Sequence, residues 1–322
     1  MATKIRVAIA GASGMTGSSI VNALLATPEK FEVTALARPV SVGKPEYVNL
    51  AARGVIVKPV DLGEPSDAVI EVLTGMDVVI SCMTLLQFKE EMSLVEAASK
   101  AGVGRYVPSF FGPCCPPRGI MLARERKEDI LDHIKRLYLP YTVIDVGWWY
   151  QLSLPSLPSG RIRAKVEYST TGIIGDGNLP WALTDNRDIG RYVAKIIADP
   201  RTLNKSVFSY GQVWTQNDVF DLLEKITGES VPREYVTKEE LLKIISEGQA
   251  AISKNSLDRA VMLKLGMAQY RYLLGIRGDN TPEHARYLGY LDAKDLYPEV
   301  EATPLESYIR DAFEGKLKTV YS

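Results

Sequence analysis

The sequence predicts an α/β fold, a doubly wound parallel sheet with helices on both faces. Short apolar runs alternate with amphipathic stretches through the first half of the chain, and a glycine-rich loop follows the first run directly. Strand and helix repeated in this way build parallel sheets, because each crossover helix covers one face. With 322 residues, 46% hydrophobic and 24% charged, the chain has the composition of a globular protein and not of a disordered one.

Six runs are predicted to be buried strands, because they are short, rich in Val and Ile, and bounded by Gly, Pro or charge. These runs are Ile5–Ala10, Phe31–Ala37, Val55–Asp61, Asp77–Cys82, Arg105–Pro108 and Tyr141–Val146. Between them, apolar residues recur with the period of a helix. The predicted helices are Thr16–Ala26, Ser66–Leu73, Glu90–Ala101 and Leu122–Tyr138.

The pattern changes after residue 150, where a Pro/Ser/Gly-rich stretch at 154–160 is typical of a linker. We expect a first domain at residues 1–153 and a smaller α+β region at 154–322, interleaved with the first. Ile162–Gly177 predicts a hairpin. Further helices are predicted at Asp188–Ala198, Gln216–Thr227, Lys238–Glu247, Ser256–Tyr272 and Thr303–Gly315. The first of these is expected to pack on the sheet.

Charge and hydropathy exclude several classes of partner. The net charge is −1 and the sequence pI is about 6.2, so binding to nucleic acid or to an anionic membrane is not expected. No apolar run approaches the roughly 18 residues of a membrane-spanning helix. Met1–Ala10 enters a strand-like segment at once and lacks the layout of a signal peptide. The expected partner is a small-molecule substrate, and monomer and homodimer remain open.

Cysteine and histidine content argues against a disulfide framework and a metal site. Cys82, Cys114 and Cys115 are too few for such a framework, so we expect a cytoplasmic protein in a reducing compartment. The two histidines, His133 and His284, lie in no CxxC, HxxxH or HExxH spacing, so no metal is expected.

The strongest motif is a GxxGxxG loop, which follows the first predicted strand and opens the first predicted helix. Glycines allow a tight turn and the close approach of a pyrophosphate, and the helix N-terminus offers free N–H groups and a positive dipole end. The loop therefore predicts a Rossmann-type dinucleotide site, and a tight turn without a ligand is the alternative. Its residues are Gly11, Ala12, Ser13, Gly14, Met15, Thr16 and Gly17.

The end of the second strand predicts which dinucleotide binds. An acidic residue there would bond to a ribose 2′-hydroxyl, but this strand ends in Arg38, about 20 residues past the last glycine. A guanidinium can hold a 2′-phosphate through paired hydrogen bonds and can stack on adenine. Lys44 is a second candidate cation. We expect NADPH in preference to NADH, and the alternative is that Arg38 is a solvated strand-end charge.

Two further strand ends are expected near the cofactor, because open α/β sheets bind ligands at the carboxyl ends of their strands. Ser81, Cys82 and Met83 end the fourth predicted strand, and Ser109 ends the fifth. Each of them could equally be a tight-turn residue.

One lysine lies on an apolar stripe. At about 100° per residue, the predicted helix Leu122–Tyr138 places Lys127 in the middle of a buried apolar stripe. The stripe consists of Ala123, Ile130, Leu131, Ile134, Leu137 and Tyr138. A buried cation is unfavourable unless it is paired, reaches solvent or lines a cavity. Burial would lower its pKa and make it a proton donor or acceptor near neutral pH. Periodicity alone leaves catalysis and snorkelling towards solvent equally open.

Together these features resemble the atypical short-chain dehydrogenases called NmrA-like or isoflavone reductase-like proteins, especially those of fungal type. The resemblance covers nearly the whole chain. The segments that carry it are Gly11–Gly17, Arg38, Gly75–Ser81, Arg105–Ser109, Phe111–Gly112, Lys127, Leu139–Thr142, Gly175–Gly177, Thr184–Gly190 and Asp295–Val300.

The resemblance implies an NADPH-dependent reductase of a small aromatic or polyketide-like secondary metabolite. The family's catalytic lysine lies on the helix before a Pro-Tyr-Thr strand, and Lys127 matches it. By analogy Lys127 relays a proton while hydride leaves the nicotinamide. Some family members instead sense dinucleotides and bind transcription factors without turnover, although these tend to lack the lysine. Isomerase, dehydratase or cyclase chemistry in the same pocket is a further alternative.

Departures from the family pattern concern the pocket. Phe110 stands where the family commonly has an acidic residue, and Phe111 follows it. Trp148, Trp149 and Tyr150 stand where plant members carry smaller residues. These five aromatic residues are candidate pocket residues, and core packing is the alternative for at least one of the last three. Plant substrates such as isoflavones are therefore not expected.

Overall fold

A five-stranded parallel sheet organises the first half of the chain. The computed structural model describes residues 3–63, 66–163, 172–253 and 258–317. The strands are β1 (Ile5–Ala10), β2 (Phe31–Ala37), β3 (Ile56–Pro59), β4 (Val78–Ser81) and β5 (Arg105–Val107). Their order is β3-β2-β1-β4-β5, and every pairing is parallel. The chain starts in the middle and crosses over to both sides, so the predicted doubly wound class is confirmed.

Five helices accompany these strands. They are α1 (Met15–Leu25), α2 (Pro45–Ala52), α3 (Asp67–Leu73), α4 (Phe88–Lys100) and α5 (Leu122–Arg136). Helix α2 is not predicted from the sequence, and its eight residues bury only Tyr47 and Leu50. So short a helix shows too little periodicity to stand out from a loop.

Helix α5 ends before the predicted boundary at Tyr138. Tyr138 has a φ of +53° and is 92% exposed. The prediction that it belongs to the buried stripe is therefore wrong. Pro140 explains the early end, because a proline disfavours helical conformation in the residue before it.

Alternate residues of β1 face two different cores. Val7 and Ile9 pack with Ile20 and other side chains of α1. Ala8 and Ala10 pack on the opposite face with side chains of α3, α4 and α5. This alternation is the period of two expected for a strand, and it places helices on both faces of the sheet.

Short strands continue through the rest of the described chain. They are β6 (Thr142–Asp145), β7 (Trp148–Trp149), β8 (Ile173–Ile174), β9 (Trp181–Thr184), β10 (Lys205–Phe208), β11 (Gln212–Trp214), β12 (Tyr235–Val236) and β13 (Leu291–Asp292). A parallel bridge from Tyr106 to Tyr141 joins β5 to the start of β6. β10 pairs with β6 and β13 pairs with β10, again in parallel. Strands from both sides of residue 154 therefore lie side by side.

The remaining strands form two small sheets. β9 lies between β7 and β11, and β8 pairs in parallel with β12. Among the described residues of the hairpin predicted at Ile162–Gly177 there is one strand, β8, and its described partner is the distant parallel strand β12. Residues 164–171 of the predicted hairpin lie outside the described residues.

Seven helices are described in the second half. They are α6 (Asn186–Ile196), α7 (Gln216–Thr227), α8 (Lys238–Ser253), α9 (Arg259–Tyr272), α10 (Pro282–Tyr287), α11 (Ala293–Leu296) and α12 (Leu305–Phe313). Five of them correspond to predicted helices, whereas α10 and α11 are too short to show a helical period. The predicted start of α9 at Ser256 lies outside the described residues.

Helix α6 packs against α1 at one glycine. Gly190 donates its backbone N–H to the Ser19 hydroxyl at 3.0 Å. A Cβ on Gly190 would lie 2.0 Å from the backbone oxygen of Ser19. The two helices therefore approach so closely that no side chain fits at residue 190.

We expect Gly190→Ala to lower the free energy of unfolding by about 1–3 kcal/mol, because the added methyl must push α6 away from α1. Urea unfolding measures the difference. Gly266→Ala is the matched control, since Gly266 also lies inside a helix and a Cβ there would meet no atom within 4 Å. That variant should gain up to about 1 kcal/mol from helix propensity. A Gly190→Ala protein as stable as the control would contradict the close approach.

Three absences apply to the described residues. None of their helices is long and apolar enough to cross a membrane. They contain no group of three or more His, Cys, Asp or Glu side chains that could hold a metal ion. Cys82, Cys114 and Cys115 form no disulfide. Cytoplasmic location stays a prediction.

Candidate functional site

Two glycines of the GxxGxxG loop are required by the fold itself. Gly11 has a φ of +80°, and a Cβ there would lie 2.7 Å from the carbonyl oxygen of Cys82. A Cβ on Gly17 would lie 2.1 Å from the carbonyl oxygen of Gly11. The loop therefore folds back on the start of α1 and packs against the end of β4, so both glycines are needed whether or not a ligand binds.

The middle glycine has no such internal reason. A Cβ on Gly14 would meet only the Gly11 carbonyl oxygen within 4 Å, at 3.3 Å. Gly14 is exposed, as is Ser13, while Ala12 is buried and Met15 and Thr16 are half-buried. Glycine at residue 14 keeps open a space above the loop, which is the space a phosphate group would occupy.

The N-terminus of α1 opens into that space. Gly14 is its N-cap residue and makes no side-chain hydrogen bond to the helix, and the first turn carries no acidic side chain. The N–H groups of a first turn have no partner within their own helix, and they form the positive end of the helix dipole. The site therefore suits an anion and fits the pyrophosphate of a dinucleotide.

The two candidate cations follow β2. Arg38 is exposed at the end of this strand, and its carbonyl oxygen accepts the N–H of Ser41 at 2.7 Å. Lys44 is exposed at the N-cap of α2. Two successive turns, closed by the N–H of Ser41 on Arg38 and the N–H of Lys44 on Ser41, follow β2, and both cations are open to solvent there.

The ends of β4 and β5 are tied together. Ser109 donates its hydroxyl to the Met83 carbonyl oxygen at 2.7 Å, and the N–H of Met83 contacts the Ser81 hydroxyl at 3.5 Å. Ala10, the last residue of β1, lies opposite Ser81 in the sheet. Burial raises the pKa of the neighbouring Cys82 thiol, so this thiol stays protonated and is no nucleophile. Three strand ends therefore meet beside the glycine loop.

Lys127 points inward and not towards solvent. It is half-buried, its amine donates a hydrogen bond to the carbonyl oxygen of Phe110, and it lies 5.8 Å from the centre of the Phe110 ring. Burial, assisted by the positive charge of Arg124 and opposed by Asp145 and Glu91, lowers the pKa of Lys127 to about 8. The amine is therefore held at the end of β5 and exchanges a proton near neutral pH.

A buried charge network lies next to this lysine. The guanidinium of Arg124 donates to Glu128 at 2.7 Å, to Asp145 at 2.6 Å and to the Tyr290 hydroxyl at 2.6 Å. Tyr290 in turn donates to Asp145 at 2.7 Å. All four residues are less than a tenth exposed. The Arg124 charge is thus fully paired, and Lys127 stands outside this network.

Phe110 is held between the two cations. The guanidinium carbon of Arg124 lies 4.7 Å from the centre of its ring, so cations of α5 contact both the ring and the carbonyl of this residue. The next residue, Phe111, has a φ of +29° and donates its N–H to the Ile144 carbonyl oxygen at 2.9 Å. Positive φ is strained for a phenylalanine, and such strain often marks functional loops.

The three aromatic residues after Gly147 lie in different environments. Trp148 is 5% exposed and its ring lies 5.2 Å from that of Tyr270. Trp149 is half-buried and packs against the core between the sheet and α1. Tyr150 is completely buried, packs on Tyr308 and donates its hydroxyl to the Thr303 carbonyl at 3.1 Å. For Tyr150 this is the core packing that the sequence left open.

Comparison with known proteins identifies the family. The model of the NmrA-like family matches residues 3–273. The chain belongs to the NmrA-like family. This NmrA-like chain is 42% identical to the asnovolin J 5′,6′-dehydrogenase of Aspergillus novofumigatus, over 97% of its own length and 96% of that protein. It is 28% identical to an isoflavone reductase-like protein of Olea europaea, over 96% and 99% of the two chains.

A solved structure shows the same fold. The NADPH complex of leucoanthocyanidin reductase from Vitis vinifera matches with a TM-score of 0.79 and 23% identity, over 96% of this chain and 99% of that one. The predicted resemblance to NmrA-like and isoflavone reductase-like proteins is confirmed.

Sequence reasoning missed the charged neighbours of Lys127 in this NmrA-like protein. Asp145 and Tyr290 reach Arg124 from distant parts of the chain, so no local spacing reveals them. Glu91 carried a readable signal: it lies three and four residues before the buried Leu94 and Val95, on the same face of α4. A carboxyl on an apolar helix face is the same kind of signal that singled out Lys127.

We expect the amine of Lys127 to titrate near pH 8 in the NmrA-like protein. A lysine in a model peptide titrates at about 10.4, and only the neutral amine reacts with an acylating reagent. The rate of Lys127 acetylation, followed by mass spectrometry of the digested protein, should rise up to pH 8 and then level off. The other lysine-containing peptides serve as internal controls. A rate that still rises tenfold per pH unit between 8 and 10 would contradict the inward position of Lys127.

Proposed function

We propose that the protein is an NADPH-dependent oxidoreductase of a small aromatic or polyketide-like secondary metabolite, with Lys127 as its proton relay. The observation that carries the proposal is an inward-pointing amine of lowered pKa beside β5, at the sheet edge that also carries the glycine loop. Relatives named a dehydrogenase and an isoflavone reductase-like protein support an oxidoreductase.

The proposed cofactor site runs along the carboxyl edge of the sheet. The first turn of α1 and the open space at Gly14 would hold the pyrophosphate. Arg38 and Lys44 would hold the 2′-phosphate that distinguishes NADPH from NADH. The ends of β4 and β5, Ser81–Met83 and Ser109, would lie along the nicotinamide half. When bound, NADPH supplies a hydride to the substrate.

In the proposed mechanism, Lys127 handles the proton that accompanies the hydride. With a pKa of about 8, it is populated as both ammonium and amine near neutral pH, so it can give a proton to a substrate oxygen and be recharged from solvent. The Phe110 carbonyl fixes the direction of the amine. The nearby charge of Arg124 disfavours the ammonium form, and this favours release of the proton.

The oxidative direction is a second candidate function. The 42% identical relative is named a dehydrogenase, and the same site would serve that reaction with NADP⁺. Lys127 would then act as the base, because its neutral form can accept the proton that the substrate loses. A pKa near the working pH suits either direction.

The proposed substrate position lies between the sheet edge and the second half of the chain. Residues 1–153 would hold the cofactor, and residues 154–322 would cover the substrate. Phe110 and Phe111 would form one wall, and Trp148 and Trp149 another. Tyr150 would support this second wall from the core behind it, where it packs on Tyr308.

Arg38→Asp tests the cofactor assignment. We expect it to weaken NADPH binding by about tenfold to a hundredfold, since a charge-assisted hydrogen bond contributes about 1.5–3 kcal/mol, and to change NADH binding little. Titration followed by tryptophan fluorescence measures both constants. Arg53→Asp is the control, because it makes the same charge change at the C-terminus of α2. Failure of the unaltered protein to bind either nucleotide would remove the proposed function.

Lys127→Ala tests the proton relay. We expect kcat to fall by about a hundredfold to ten-thousandfold, the usual contribution of general acid–base catalysis, with NADPH binding unchanged. Turnover is found by screening aromatic and polyketide-like ketones and enones for NADPH oxidation. Full activity in the variant would exclude Lys127 from the mechanism. Equal affinity of the unaltered protein for NADPH and NADP⁺, without turnover on the panel, would favour a dinucleotide sensor.

A further inference from the structure

Glu91 is a buried acid that the proposed mechanism does not use. It lies on α4, is 4% exposed, and shares its helix face with the apolar Leu94 and Val95. A carboxyl in such a place is unfavourable unless its oxygens are bonded, and a packed apolar side chain would be at least as stable. Its presence therefore calls for a reason beyond packing.

The partners of Glu91 are all at the ends of β4 and β5. Its Oε1 accepts the backbone N–H of Ser109 at 2.9 Å, and the Ser81 side chain hydrogen-bonds to the same carboxyl. Ser109 also donates its hydroxyl to the carbonyl oxygen of Met83 at 2.7 Å. Ser109 is thus held both at its backbone N–H and at its side-chain hydroxyl.

Glu91 and Lys127 bond to the backbone of the same two-residue segment from two neighbouring helices. Glu91, on α4, accepts the N–H of Ser109, while Lys127, on α5, donates to the carbonyl of the next residue, Phe110. The segment runs into the strained Phe111, so it needs such anchors to keep its shape.

We propose that Glu91 is a positioning residue: it fixes the Ser109–Phe110 backbone, and the Phe110 carbonyl in turn fixes the amine of Lys127. The consequence for catalysis rests on the proposed function, whereas the effect on Lys127 itself does not. This role requires a side chain long enough to place an oxygen atom next to the Ser109 N–H. It does not require a charge, because any such oxygen can accept that hydrogen bond.

Other charged groups also act on Lys127. Asp145 at the end of β6 favours its ammonium form and Arg124 on α5 disfavours it. Cys115 in the loop before α5 also faces Lys127, but burial raises the pKa of its thiol, which therefore stays neutral. Glu91 itself is faced by Tyr106 and Cys82 as well as by its hydrogen-bond partners. Because none of these residues is substituted in the Glu91 variants, the comparison isolates the change at residue 91.

Two substitutions separate the effect of side-chain length at residue 91 from the effect of its negative charge. Glu91→Gln keeps the length and the accepting oxygen but loses the charge. Glu91→Asp keeps the charge but is one methylene too short to hold the Ser109 N–H. Glu90→Gln, at the neighbouring half-buried residue of α4, is the matched control. The readout is the pH midpoint of Lys127 acetylation, which needs neither a substrate nor a bound nucleotide.

We expect Glu91→Asp to raise this midpoint by about one pH unit, because a released Lys127 amine becomes more solvated and moves towards the ordinary lysine value. Glu91→Gln should leave the midpoint at or slightly below that of the unaltered protein, and Glu90→Gln should not move it. A wild-type midpoint in Glu91→Asp overturns the proposal. So does an equal rise in Glu91→Gln, because glutamine keeps the accepting oxygen.

A measurement on the unaltered protein tests the proposal even if the Glu91 variants fail to fold. The backbone amide of Ser109 should exchange its hydrogen slowly, since its acceptor is almost completely buried. Fast exchange of this amide would overturn the proposal without any substitution.

Kinetics then separates the two proposals. Once a substrate is known, Glu91→Asp should lower kcat about tenfold to a hundredfold through misplacement of Lys127, with the Kd for NADPH unchanged. A raised midpoint in Glu91→Asp together with full turnover in Lys127→Ala would retain the positioning role and reject the proposed function. An unchanged midpoint in Glu91→Asp together with an inactive Lys127→Ala protein would retain the proposed function and reject the positioning role.

Discussion

The parallel pairing of β1 with β4, and of β4 with β5, decides where the functional groups of this protein lie. Parallel strands end on the same edge of a sheet, so the glycine loop after β1, the end of β4 at Ser81 and the Ser109–Phe110 turn after β5 are neighbours. Helices α4 and α5 pack beside these ends and bring Glu91 and Lys127 to them. Residues more than a hundred positions apart become one site through strand order alone.

The electrostatics of this edge follow from unequal pairing of buried charges. Arg124 bonds to Glu128, Asp145 and Tyr290 and therefore keeps its charge in the interior. Lys127 donates instead to a backbone carbonyl, which carries no full charge, so burial outweighs the opposing charges of Asp145 and Glu91 and lowers its pKa. The same helix thus holds one cation that cannot lose its proton and another that readily does.

Local signals in the sequence account for the fold and for half of the candidate site. The strands of the first half are predicted within a few residues, because buried apolar runs and a glycine loop are properties of neighbouring positions. The helical period finds Lys127 for the same reason. It does not find Asp145 and Tyr290, which bond to Arg124 and to each other beside this lysine. The contact between these two spans 145 residues and leaves no local trace in the sequence. The prediction for Tyr138 is wrong, because the proline two residues later outweighs the apolar period.

The position of β10 between β6 and β13 has a consequence for how the chain is made. A ribosome delivers β1 to β6 well before residues 205–208, so the outer edge of β6 must wait as an unpaired template while some sixty residues are added. The surface of α1 against which Gly190 packs is also uncovered until α6 has been made. The nascent first half is therefore a sheet with an unpaired border that is prone to aggregation. Pairing of β10 with β6 covers that border once the second half of the chain has been made.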